Sequence, residues 1–180
     1  RNSRSNVSNI RIQNIEVKGQ KRMGIVFRNY YNNVPNSGID ISNCYVHHIR
    51  LIGFWIYNYN GARVSHSRAE YTGTGFYAFS NANNTVFSHD TAMYNIQYEP
   101  GINTNGQNMD GSGIGIDECG GCIIEYCVVY ENDDGGFVVD FNHVDNYDVT
   151  LRYNKALGSP GVTVSNNYGF MIARMGAGSS

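Results

Sequence analysis

A short alternating phrase recurs six times along this chain, and its spacing constrains the fold more than any other feature. The first copies read Ile10-Arg-Ile12-Gln-Asn14-Ile-Glu-Val17, Ile39-Asp-Ile41-Ser-Asn43-Cys-Tyr-Val46, Ala62-Arg-Val64-Ser-His66-Ser-Arg-Ala69 and Thr85-Val-Phe87-Ser-His89-Asp-Thr-Ala92. Cys122-Ile-Ile124-Glu-Tyr126-Cys-Val-Val129 and Val149-Thr-Leu151-Arg-Tyr153-Asn-Lys-Ala156 follow. With Ile12, Ile41, Val64, Phe87, Ile124 and Leu151 as anchors, the steps are 29, 23, 23, 37 and 27 residues. A base period of 23 with insertions, built from period-two runs, is the signature of stacked β coils. The expected fold is an all-β solenoid in which each coil buries its apolar rows against its neighbours.

A second alternating run follows each anchor, led by Gly24, Gly53, Gly75, Gly113, Gly136 and Gly161. One place on stand Ile25, Phe54, Phe76, Ile114, Phe137 and Val162; three places on stand Phe27, Ile56, Ala78, Ile116, Val139 and Val164. Both rows are apolar throughout and are expected to face the core. Because side chains alternate across a strand, the residues two and four places on face outward. Those outward rows are Val26, Trp55, Tyr77, Gly115, Val138 and Thr163, and Arg28, Tyr57, Phe79, Asp117, Asp140 and Ser165.

The 180 residues suit one domain with a continuous core, spanning residues 1–180 in six or seven coils. Neither end offers the polar cap that a solenoid needs, so the chain reads as a segment incomplete at both ends, with end-to-end or missing-coil contacts expected there. A net charge of -2 argues against a nucleic-acid partner held by phosphate contacts. No apolar run approaches the roughly 20 residues of a membrane span. Charged residues are only 16%, and asparagine and glycine are abundant in the turns, a balance that suits a secreted or extracellular solenoid. Among four cysteines, Cys44 and Cys127 hold the same place three coils apart, about 14 Å, beyond disulfide reach. Cys119 and Cys122 form a Cys-Gly-Gly-Cys turn, open to a local disulfide or to buried thiols. His66 and His89 occupy the place of Asn14 and Asn43 and are expected to form a structural turn ladder.

Asp117 and Asp140 stand four places after their glycines in successive coils, which makes them stacked neighbours roughly 5 Å apart at the backbone. Like-charge repulsion across such a pair raises one acid and leaves the other ionised, which supplies an acid and a base or nucleophile from one residue type. Trp55, Tyr57, Tyr77 and Phe79 precede them on the same face as an expected sugar-stacking platform, and Gly115 leaves a gap between platform and acids. Arg28 is the one cation in the outward rows, and a long insertion carrying Tyr98 leads into the strand of Asp117; both are expected to help bind substrate. Asp110 and Asp133, each three residues before a glycine, and Glu118 beside Asp117 compete for the catalytic role. Calcium is conceivable at that acidic turn, although its spacing is not that of a standard calcium loop. The plainer alternatives are solvated acids and aromatics packed beneath the long loop or a missing segment.

The stretch Asp110-Gly-Ser-Gly-Ile-Gly-Ile-Asp117, with Ile123-Ile-Glu-Tyr-Cys-Val-Val-Tyr-Glu-Asn-Asp-Asp-Gly-Gly-Phe137, resembles right-handed parallel β-helix proteins of carbohydrate metabolism. That resemblance implies a right-handed helix with three sheets per coil, a fold shared by pectinases, polysaccharide lyases, some glycosidases and phage tailspikes. The expected function is a glycoside hydrolase acting on a polysaccharide or oligosaccharide through Asp117 and Asp140. A polysaccharide lyase and a non-catalytic tailspike or adhesin segment are the alternatives.

Overall fold

The computed structural model describes residues 8–29, 37–96, 111–140, 148–158 and 168–173. Among them lie sixteen strands and no helix, and every strand pairing is parallel. The first sheet has six strands in spatial order: β1 (Ile10–Gln13), β4 (Ile39–Ser42), β6 (Arg63–Ser65), β8 (Val86–Ser88), β11 (Ile123–Glu125) and β14 (Thr150–Arg152). Its register joins Ile12 to Ile41, Val64, Phe87, Ile124 and Leu151 in one column, the six expected anchors.

The second sheet has ten strands and two legs. One leg contains β2 (Glu16–Lys18), the first part of β5 (Tyr45–Tyr57), the first part of β7 (Arg68–Phe79), β9 (Thr91–Met93), β12 (Val128–Tyr130) and β15 (Lys155–Leu157). The other contains β3 (Met23–Arg28), the second parts of β5 and β7, β10 (Ile114–Asp117), β13 (Gly135–Asp140) and β16 (Tyr168–Ala173). Each coil therefore has three sides, one from the first sheet and two from the second. The interior is filled by matching apolar columns; Phe54 and Phe76, for instance, stack at 4.5 Å.

Glycine opens each strand of the third side because the coils touch there. A Cβ on Gly53 would lie 2.6 Å from the Gly75 carbonyl oxygen, and one on Gly75 would lie 2.5 Å from that of Gly113. The same approach continues from Gly113 to Gly136 and from Gly136 to Gly169. The last member corrects the expected row. Phe137 pairs with Phe170, so Gly169 and not Gly161 leads the sixth strand, and residues 159–167 lie outside the described residues. The repeat alone offered Gly161 because Val162 and Val164 mimic the alternation.

The corner after the first sheet turns on one left-handed residue per coil: Asn14, Asn43, His66, His89, Tyr126 and Tyr153, with φ between 52° and 59°. Left-handed backbone costs a non-glycine residue about 1–2 kcal/mol. Ring stacking offsets part of that cost, since such pairs contribute about 0.5–1.5 kcal/mol beyond burial. His66 stacks on His89 at 4.8 Å, His89 on Tyr126 at 4.9 Å and Tyr126 on Tyr153 at 4.9 Å. The histidines are thus the turn ladder that their alignment implies.

In the coils from Cys44 to Asn154 the next residue points inward, where backbone amides need acceptors. Cys44 N–H donates to Ser67 Oγ at 3.2 Å, Ser67 N–H to Asp90 Oδ1 at 2.8 Å and Cys127 N–H to Asn154 Oδ1 at 2.9 Å. Ser67 and Asp90 fill the places between Cys44 and Cys127, which are free thiols. A second inward ladder runs through Thr72, Asn95 and Asn132. Asp90 is fully buried, and burial pushes its carboxyl up to about 8 against the pull of two backbone donors. Between the unfolded value of 3.8 and about 8, the folded chain holds a proton that the unfolded chain has released. Stability should therefore fall by roughly 1.4 kcal/mol per pH unit as pH rises through that window. Asn154 shows that asparagine suits this column, because its Nδ2 also donates to the Ile124 carbonyl at 2.8 Å. Asp90→Asn should flatten the pH dependence and raise the melting temperature at neutral pH, as calorimetry between pH 4 and 8 would measure; an unchanged slope would assign the dependence to another group.

Candidate active site

The outer face of the third side carries the carboxylate pair. Asp117 on β10 pairs in register with Asp140 on β13, and Phe79 on β7 flanks Asp117 on the other side. Asp117 is 6% exposed, and Phe79 and Asp140 on either side of it are partly exposed. Asp140 Oδ1 is buried and has no hydrogen-bond partner among the described residues. Glu118 does not share this face: it turns the corner at φ 54°, and its N–H donates to the Asp140 carbonyl at 3.3 Å. Asp133 sits at the opposite end of the strand, its N–H donating to the Asn95 carbonyl at 2.9 Å. Asp110 and Tyr98 lie outside the described residues.

The aromatic residues stand on the expected rows but do not form an open platform. Trp55 is only 2% exposed, packed with Leu51 and Ile52 and bordered by Met23, Tyr57 and Tyr77. Its burial follows from an irregularity in β5, where the register with β7 shifts between Ile49 and Ile52 and brings Leu51 and Ile52 against the indole. The Arg28 guanidinium lies 5.0 Å from the ring centres of both Trp55 and Tyr57. Tyr57 and Phe79 remain partly exposed, with centroids 5.6 Å apart.

Nor does Gly115 leave a gap. The Tyr77 ring occupies it, since a Cβ on Gly115 would meet Tyr77 Cδ2 at 2.8 Å. Lying across the glycine, Tyr77 donates its hydroxyl proton to Asp117 Oδ2 at 3.0 Å. Burial, then the charge of Asp117 and this hydrogen bond, hold the Tyr77 phenol well above its usual range, so it remains a donor. Tyr77 is therefore a partner of the carboxylate, and its ring, partly exposed, stacks on Phe79 at 5.8 Å. The clue in the sequence was the pairing of a tyrosine with a glycine one strand away in the same row.

A second polar cluster, unforeseen from the sequence, lies on the outer face of the second side. His47 is buried between coils, with Nε2 3.0 Å from Glu16 Oε1 and Nδ1 2.8 Å from His48 Nδ1. Beside it the Glu70 carboxylate accepts from the Tyr45 hydroxyl and the Arg68 guanidinium. Only the column that sets His47 next to Glu70 brings these groups together, because they are 23 residues apart. Among the described residues, no group of three or more histidine, cysteine, aspartate or glutamate side chains is arranged to hold a metal ion.

This is a parallel β solenoid with a polar site on its outer face. The chain belongs to the right-handed β-helix family, whose model, the right handed beta helix region, matches residues 2–174. No curated protein and no solved structure matches it significantly.

Two substitutions test this geometry. Trp55→Ala should lower stability by about 3–5 kcal/mol, the cost of emptying a packed aromatic site, as denaturant unfolding would report. Gly115→Ala should cost about 1–3 kcal/mol by overpacking against Tyr77. In a Tyr77→Ala background most of that cost should disappear; a double-mutant cycle showing plain additivity would mean that the ring does not rest on the glycine.

Proposed function

We propose that the protein is a polysaccharide-active glycoside hydrolase whose acid pair is Asp117 and Asp140. The observation that carries this reading is the in-register pairing of the two aspartates on adjacent strands, with the Tyr77 hydroxyl committed to one of them. The Tyr77 hydroxyl, donating to Asp117, fixes the orientation of that carboxyl as one member of the pair. Asp140, partly exposed beside it, is the other member of the acid/base and nucleophile pair. The spacing of neighbouring strands, about 4.8 Å, is nearer the roughly 5–5.5 Å carboxyl separation of retaining enzymes than the wider gap of inverting ones. Lyase chemistry is less well supported: Arg28 is stacked on Trp55 and Tyr57, and two strands stand between it and Asp117.

A second reading is favoured by the burial of Asp117, which leaves little carboxylate surface for a substrate. It makes the solenoid a non-catalytic carbohydrate-binding or adhesin segment, with the acids part of its surface packing. Release of reducing ends from a panel of polysaccharides separates the two. For the hydrolase, Asp117→Asn and Asp140→Asn should each lower turnover by about 10²–10⁴-fold while the circular dichroism spectrum stays unchanged. Binding without turnover in the unmodified protein would favour the segment, and wild-type turnover in either variant would remove that aspartate from the mechanism.

A further inference from the structure

The turn after β10 carries Cys119 and Cys122, and the stacking of coils brings both side chains to the interior. Asn81 N–H donates to the Glu118 carbonyl at 3.0 Å, Asn84 N–H to that of Gly120 at 2.8 Å and Ile123 N–H to that of Thr85 at 2.9 Å. The Asn83 side chain accepts from Gly120 N–H at 2.7 Å. In the neighbouring coil, Ala82 and Thr85 occupy the corresponding inward places, and the Thr85 hydroxyl spans them by donating to the Ala82 carbonyl at 2.7 Å. In the cysteine turn the Cys119 thiol donates to the Asp117 carbonyl at 3.0 Å and the Cys122 thiol to the Ala82 carbonyl at 3.5 Å, an oxygen that Cys119 also faces, and both side chains are fully buried. Gly121, at φ 66°, permits the tight reversal between them.

We propose that Cys119 and Cys122 are a disulfide site, closed by thiol–disulfide exchange under oxidising conditions and cross-linking the turn that follows Asp117. The site stands independently of the hydrolase reading. With a small-molecule disulfide as oxidant, the thiolate of one of the two cysteines attacks one of its sulfurs, forms a mixed disulfide and expels one thiolate. The other cysteine then loses its proton and attacks the protein sulfur of that mixed disulfide, forming the protein disulfide and expelling the second thiolate. The two protein thiols lose two electrons and two protons, and the oxidant is reduced to two thiols. Because both sulfurs are covered in the folded chain, exchange takes place while the turn is open during folding. Cys44 and Cys127 take no part, since Ser67 and Asp90 stand between them in their column.

The test is refolding of the whole chain in mixed reduced and oxidised glutathione, followed by acid quenching, unfolding, alkylation with N-ethylmaleimide and mass spectrometry. The expected product is two hydrogens lighter than the reduced chain, with Cys44 and Cys127 alkylated and Cys119 and Cys122 protected until a reductant is added. Cys119→Ser or Cys122→Ser should abolish the mass deficit and expose the remaining partner to alkylation. Alkylation of all four cysteines in the refolded wild-type chain, or a deficit that maps to Cys44 or Cys127, would overturn the proposal. The wild-type map decides the matter even if a serine variant fails to refold.

Discussion

The close approach of successive backbones at the entrance to the third side is the constraint on which the rest of this structure depends. At Gly24, Gly53, Gly75, Gly113 and Gly136 the next coil's carbonyl lies within about 2.6 Å of where a Cβ would be. Only glycine fits such an approach without displacing a strand. Once those positions are held, the alternation of side chains sends Phe54, Phe76, Ile114 and Phe137 into the core and Asp117 and Asp140 to the outer face. A one-residue slip would exchange the two faces and bury charged rows in place of apolar ones.

A solenoid this narrow cannot leave its corners to water, and it satisfies them from within. Inward polar residues accept backbone protons from the neighbouring coil, as Ser67, Asp90 and Asn154 do in one column and Asn95 and Asn132 in another. A buried unpaired amide costs about 1–3 kcal/mol, so the columns are as necessary as the apolar rows. Asp90 is the exception in chemistry though not in place. A carboxyl where the column elsewhere has cysteine, serine or asparagine makes the fold sensitive to pH.

At the candidate site the same economy joins packing to the placement of the acid pair. Gly115 has no side chain, which lets Tyr77 lie flat enough to reach Asp117, and Tyr77 in turn occupies one oxygen of the carboxylate. A constellation held by packing on a rigid sheet keeps its geometry without further support. Upstream, Trp55 is packed against Leu51 and Ile52 with the Arg28 guanidinium over its ring, whereas Tyr57 and Phe79 keep part of their surface exposed.

The sequence by itself determined the coil period, the six anchors of the first sheet, five of the six glycine leads and the pairing of Asp117 with Asp140, because a strand's period of two and a coil's near-constant length leave little freedom in register. It also placed His66 and His89 in a turn ladder. Only the tertiary structure decided which outward residues meet solvent. The shift in β5 that covers Trp55, the lean of Tyr77 across Gly115 and the meeting of His47 with Glu16 and His48 depend on side-chain directions and on an irregularity that alternation does not encode. Gly169 displaced Gly161 for a related reason: where two glycine-led runs both alternate, the sequence offers either until the neighbouring coil selects its partner.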